Sequence, residues 1–424
     1  MKLQKIYLGT FLLAIIVRIC IIYFTPQANR LMDLSIYREA GQLVVNGINP
    51  YDYNDQKELR NFLRTDSISY NEYTSRDQDS WNFQAGAALP MATLFFGGIE
   101  YYFASYEAHR YIYAFFDSLL AVLVLAIVLN KWKLSSSSPV INDEVPKKFQ
   151  YYLPYIIGLS LAAISPVFLL HVTINPEYKG VGLLLILSAF YFSDNSLKIY
   201  SILLSPLLLG FSISFIGLGI FIVPLCFYNI YNNYSFKYLI LYGFIAFVSS
   251  IIWLVPFLPE LITMMNSRMS SVTNIPNHGS MYVIFYKIMS LKSVLLLKNA
   301  LTFLFIGINI IGLINKRLNI AILSGSLIYT FTCISLVSGN LDRYNIAITM
   351  VIIILLYSRF YKMTFLLTLI YLIHGCFTFF YTFITKHLRF DFDGYFILLF
   401  SSLYFMFLIN QTFKKNKIIN EIKF

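Results

Sequence analysis

Asp33 stands a few residues beyond the first long apolar stretch of the chain, and Gly47-Ile48-Asn49-Pro50-Tyr51 follows fourteen residues later. A carboxylate held at a membrane surface can work on molecules whose polar ends sit in water while their tails stay in lipid. Other groups capable of chemistry stand between apolar stretches: Arg38, Arg268, His278 in Asn277-His278-Gly279-Ser280, and Arg343 in Leu341-Asp342-Arg343-Tyr344-Asn345. Glu177 and Lys179 share the short polar link Asn175-Pro176-Glu177-Tyr178-Lys179-Gly180. Each also has a plain structural use. An aspartate at a helix start caps the first turn for about 1 kcal/mol, Arg38 has Glu39 and Gln42 beside it, and an Asp342–Arg343 surface pair is worth about 0–1 kcal/mol.

The elements that must position these residues are membrane helices. The chain has 424 residues, of which 58% are hydrophobic and 12% charged, with a mean hydropathy of +0.66. That composition excludes an ordinary soluble enzyme. Apolar stretches of about 20 residues cross the hydrocarbon core as helices, so the expected fold is an all-α transmembrane bundle of about twelve spans. They are expected at 5–24, 83–103, 108–130, 151–172, 179–193, 199–228, 237–258, 294–314, 318–338, 344–358, 363–385 and 395–411. The whole chain, 1–424, reads as one membrane domain with long outer loops at 25–82 and 259–293. The first stretch is too long for a signal peptide and lacks a small-residue cleavage site.

The net charge of +11 does not point to nucleic acid, because the basic residues gather at span ends, where they set topology. Lys2 and Lys5, Lys316-Arg317, Arg359 and Lys362, and Lys414, Lys415 and Lys417 mark one side as cytoplasmic. Two features strain strict alternation. The connection 131–149 carries Lys131, Lys133, Lys147 and Lys148 yet falls outside, and segment 199–228, with Pro206 and Pro224, is long for one crossing. The same counting makes the Glu177–Lys179 link cytoplasmic, away from Asp33; were the middle topology otherwise, both residues would join the site.

Within the first outer loop, Ser35, Arg38, Glu39, Gln42 and Asn46 recur at helical spacing, with Ile36, Tyr37, Ala40, Leu43 and Val44 on the other face. This predicts an amphipathic surface helix begun by Asp33 and ended by Gly47, with a second, weaker one over 54–65. Asp117, inside the third span, must find a partner, for which Arg18 in the first span is suited. His374 reads in the same way, as a buried structural residue. The four cysteines form no metal motif, and Asp77-Gln78-Asp79 and Asp391-Phe392-Asp393 offer too few oxygens for a divalent cation. No cofactor or metal is expected.

Asp33, Tyr37, Ala40 and Gly47-x-Asn49-Pro50-Tyr51, directly after the first span, resemble the first-loop signature of the GT-C glycosyltransferases, in particular the bacterial mannosyltransferases that use polyprenyl-phosphate sugars. The resemblance implies that Asp33 is the catalytic base of a single inverting displacement, with polyprenyl phosphate as leaving group. It also implies a lipid-linked or cell-envelope glycan as acceptor, a hexose such as mannose as the sugar, and an outward-facing site in a bacterial inner membrane. Arg38, His278, Arg268 and Arg343, and Lys179 with Glu177 under the alternative topology, are the candidates for binding substrate or balancing the phosphate. A polysaccharide polymerase or ligase and a lipid or sugar transporter are the competing readings.

Overall fold

The computed structural model describes residues 2–25, 32–51, 89–136, 155–166, 168–169, 178–194, 197–262, 276, 280–336, 341–358, 360–385 and 392–414. The described residues form an all-α protein without strands. Its helices are α1 (Lys2–Phe24), α2 (Met32–Val45), α3 (Pro90–Phe103), α4 (Tyr106–Ser136), α5 (Lys179–Ser193), α6 (Ser205–Ile216), α7 (Val223–Asn233), α8 (Phe236–Ile251), α9 (Tyr282–Tyr286), α10 (Leu291–Ile314), α11 (Ile320–Tyr329), α12 (Leu341–Tyr357), α13 (Tyr361–Thr385) and α14 (Phe392–Phe413). π-helical turns occupy Leu159–Ala163, Tyr200–Leu204 and Thr330–Ile334. Among the described residues six helical stretches, Leu3–Phe24, Tyr106–Asn130, Phe236–Ile262, Leu291–Ile314, Tyr361–Tyr381 and Asp393–Phe413, are long and apolar enough to cross a membrane. This is an integral membrane helical protein.

The chain divides into two compact units, Met1–Ile127 with Gly158–Thr273, and Val128–Ile157 with Asn274–Phe424. In the first, α1 and α4 run antiparallel. Arg110 Nη2 donates to the carbonyl and hydroxyl oxygens of Thr25, both at 3.1 Å, and Arg18 faces Asp117 further along. Helix α3 turns into α4 through Ala104, which adopts the left-handed conformation at φ 44° and closes α3 with its N–H on Glu100 O. Helices α3 and α4 are therefore the two arms of a tight corner. At 14 residues, α3 is about 21 Å long.

Segment 199–228 is broken, as its length and prolines suggested, but not at the prolines. Pro206 and Pro224 each stand at the start of an α-helical stretch, directly after a π-helical turn and a 3-10 turn that take up the change in hydrogen bonding. The break is Gly217, at φ 75°. Past it the chain doubles back: a Cβ on Gly219 would meet Ser212 Oγ at 2.0 Å, and Asn229 Nδ2 donates to Ser193 Oγ at 2.9 Å, at the far end of α5. Helices α6 and α7 form a hairpin.

In the second unit α12 is the centre, buried from Tyr344 to Leu356. The Tyr329 and Ser401 hydroxyls meet at 2.8 Å, joining α11 to α14. The four cysteines are free; Cys226 and Cys333 are buried, Cys20 and Cys376 exposed. The apolar stripe Phe236, Ile240, Phe244 and Phe247 on α8 faces outward, as a lipid-facing surface does.

Candidate functional site

Asp33 lies in the first turn of α2, one residue inside the helix rather than at its cap. An acidic residue there suits the positive end of the helix dipole. The helix ends as the sequence predicted, and the reason is visible: Gly47 takes φ 71°, its N–H bonds Val44 O at 3.0 Å and Ile48 N–H bonds Leu43 O at 2.9 Å. This is a Schellman closure, with Ile48 packing into the same cluster as Leu43. Asn49 Oδ1 then accepts from Tyr51 N–H at 3.0 Å, and the Tyr51 hydroxyl meets Thr93 Oγ1 on α3 at 3.0 Å. The Tyr51 ring sits edge-on to Phe257 at 5.4 Å, in a cluster with Leu261 and Leu254. Gly47–Tyr51 is thus a fixed corner that anchors α2 at its far end.

Helix α2 packs antiparallel along α3. A Cβ on Gly41 would lie 2.7 Å from Phe96 O, and one on Gly97 would lie 2.7 Å from Val44 Cγ1, so two glycines let the backbones approach. The apolar face predicted for α2 is buried at Tyr37, Ala40 and Leu43. Its polar face is not a simple solvent face. Glu39 is buried, and Arg38 and Gln42 turn to Glu100 on α3. Arg38 forms a fork, Nε to Glu100 Oε1 at 2.7 Å and Nη2 to Oε2 at 3.1 Å, while Nη2 also reaches Ala104 O at 3.1 Å. The guanidinium lies over the Tyr106 ring, 4.1 Å from its centre. Burial alone would lower the Arg38 pKa, but the bonds and charge of Glu100 outweigh it and raise it. The partner of Arg38 is therefore Glu100, not the neighbours Glu39 or Gln42. Local spacing could not reveal a partner on another helix.

Glu100 Oε1 also meets His109 Nε2 at 2.8 Å, and His109 Nδ1 meets the Tyr113 hydroxyl at 3.1 Å. Arg38, Glu100, His109 and Tyr113 thus tie α2, α3 and α4 together. None of the last three was marked by sequence. The available signal was Glu100 and His109 standing at the two mouths of a short corner in apolar surroundings.

Tyr178, in the second half of the polar link, lies beside α2. Tyr178 meets Tyr37 edge-to-face at 5.0 Å and Phe96 at 5.1 Å, and belongs to the same buried cluster. Helix α3, the described part of the expected span 83–103, lies along α2 and folds into α4. Lys179 opens α5 immediately after Tyr178. Gly180 then abuts the Asp117 carboxylate.

Asp117 has the mate the sequence suggested. Arg18 Nε stands 4.0 Å from Oδ2, with both side chains buried. Arg18 does more than neutralise: Nη1 donates to Ala163 O at 3.0 Å and Nη2 to Ala162 O at 2.7 Å, closing the carbonyl end of the π-turn. Arg18 Nε and both Asp117 oxygens make no hydrogen bond among the described residues.

In the second unit, His374 Nε2 meets Asp393 Oδ1 at 2.8 Å and its ring stacks on Phe396 at 3.8 Å. Asp393 of the Asp391-Phe392-Asp393 triplet is therefore engaged with α13. Arg343 lies in the first turn of α12. The side chains of Asp33 and Arg343, together with Glu177, Arg268, His278 and the 54–65 segment, lie outside the described residues. Among the described residues no three His, Cys, Asp or Glu side chains gather as a metal site would require. Comparison with protein-family models, with curated proteins and with solved structures finds no match.

Proposed function

We propose that this chain is an integral-membrane glycosyltransferase of GT-C architecture, moving a hexose, mannose foremost, from a polyprenyl-phosphate donor to a lipid-linked or envelope glycan. The observation that carries the reading is the Tyr37–Tyr178 contact. It packs α2, the helix that bears Asp33, against the residue before α5, the helix that Lys179 opens, and in this reading the two serve one site.

In the reaction, an acceptor hydroxyl oxygen attacks sugar C1, the bond from C1 to the phosphate oxygen breaks, and the polyprenyl phosphate departs from the opposite face. Asp33 takes the hydroxyl proton. A phosphate leaves without a general acid, so one carboxylate suffices. Lys179 balances the phosphate charge, with Arg268 as a further cation. Arg38, committed to Glu100, supports the helix rather than the phosphate.

The topology of this reading has twelve crossings and both ends in the cytoplasm of a bacterial inner membrane. Helix α1 goes out and α4 returns, since the two are antiparallel, and the 83–103 segment stays with α2 on the outer side. The lysines of 131–149 then lie inside, in keeping with their charge. The α6–α7 hairpin supplies two crossings where the sequence suggested one, which restores the count. Asp33 and the Lys179 link both face outward.

The test incubates purified protein with radiolabelled polyprenyl-phosphate sugars and envelope lipid extract. Wild type should label a lipid-linked product, and Asp33→Asn should abolish it at unchanged expression. Turnover by that variant at the wild-type rate removes Asp33 from catalysis. Long products would favour a polymerase or ligase. The buried Arg18–Asp117 pair is what a transporter reading rests on; sugar movement across proteoliposomes with no bond formed would establish it instead.

A further inference from the structure

Glu100 is shared. Its Oε1 accepts from Arg38 Nε at 2.7 Å and lies 2.8 Å from His109 Nε2; its Oε2 accepts from Arg38 Nη2 at 3.1 Å. The pattern closes without waste when His109 is neutral. Nε2–H donates to Glu100, and Nδ1 accepts from the Tyr113 hydroxyl at 3.1 Å. Glu100 and His109 are almost completely buried, so water cannot replace either bond cheaply.

We propose that Glu100 is the positioning residue of the site: through Arg38 it holds helix α2, and so the turn carrying Asp33, and His109 makes that hold depend on pH. The groups facing His109 are Arg38 from α2, Glu100 from α3, and Tyr113 on α4, with the Phe96 ring at 6.3 Å. Protonating His109 places a second cation on the oxygen that Arg38 Nε uses. The carboxylate is then divided between two cations that repel each other in a buried space, and the grip on Arg38 weakens. Helix α2 is held firmly while His109 is neutral and loosens as pH falls through its titration.

The proposal rests on Asp33 as the base, but its physical core is measurable without turnover. Spin labels at Asn46→Cys and Tyr102→Cys, both exposed positions, in a background lacking the four native cysteines, report the α2–α3 distance by pulsed electron resonance. The distribution should be narrow at about pH 8 and broad well below the ordinary imidazole range, at about pH 4, in the otherwise unaltered protein. Glu100→Gln should be broad at both, and His109→Gln narrow at both. Arg38→Gln repeats the test should Glu100→Gln fail to fold, and should also be broad at both. A narrow distribution at both pH values in the unaltered protein, or in Glu100→Gln, overturns the proposal.

In the transfer assay Glu100→Gln should lose about a hundredfold in kcat with KM little changed, because a displaced base misses its hydroxyl while binding persists. Glu100→Asp should recover part of the loss. Unchanged kcat in Glu100→Gln overturns the proposal. Failure of the unaltered protein to make product counts against the transferase reading alone, since the distance measurement still judges the role of Glu100.

Discussion

Gly180 lies against the carboxylate of Asp117, so closely that a Cβ on the glycine would come within 1.8 Å of Oδ1. The first turn of α5 is thereby pinned to the middle of α4, eleven residues from Tyr106, or about 16 Å along the helix. Tyr178, two residues earlier, reaches back to Tyr37. One short stretch thus connects a buried charge to the helix that bears Asp33.

Gly180→Ala should therefore cost about 1–3 kcal/mol, as overpacking does, because a carboxylate in that position has no room to retreat. Thermal unfolding in detergent measures it. Adding Asp117→Ala should recover much of the loss, since the obstacle is then gone; strict additivity of the two would argue that they do not touch.

The Arg18–Asp117 pair should behave as a matched set. Asp117→Leu alone leaves the Arg18 charge buried and should cost about 3–5 kcal/mol. Arg18→Leu with Asp117→Leu removes both charges but also frees the Ala162 and Ala163 carbonyls, so recovery should be partial. Full recovery in the double variant would mean that those carbonyl bonds add nothing.

The corner after α2 should be sensitive at two points for different reasons. Gly47→Ala forces a Cβ into the left-handed region and should cost about 1–2 kcal/mol, with open space around it offering no offset. Tyr51→Phe removes the hydroxyl bonded to Thr93 and should cost about 1 kcal/mol. Protease sensitivity near residue 51 is the readout, and both variants should be cut faster than wild type.

A topology prediction separates the two ways of counting spans. A cysteine at position 147 should react with an impermeant maleimide only from the side that also exposes a cysteine at position 316. Labelling from the opposite side would restore 83–103 as an independent crossing.

Much of the architecture was legible because apolar runs and their basic ends are local signals. The run 179–193 coincides with α5, and the Gly47 stop needed only one glycine ahead of a proline. What could not be read were choices made between helices. Glu100 looked like a charge at a span end, and nothing in its spacing announced Arg38, sixty-two residues earlier. The fold-back of α3 into α4 depends on Ala104 adopting a left-handed conformation that alanine rarely takes, so no residue flagged it. Gly217 was passed over for the prolines beside it, although prolines begin helices as readily as they bend them.

The guanidinium of Arg18 clasps two consecutive carbonyls, Ala162 and Ala163, at the close of a π-turn. A helix advances about 100° with every residue. Deleting a single residue between 155 and 161 would swing both oxygens away from their donor and leave them bare in an apolar interior. The residue count of that stretch therefore cannot change: the arginine acts as a ruler for the backbone.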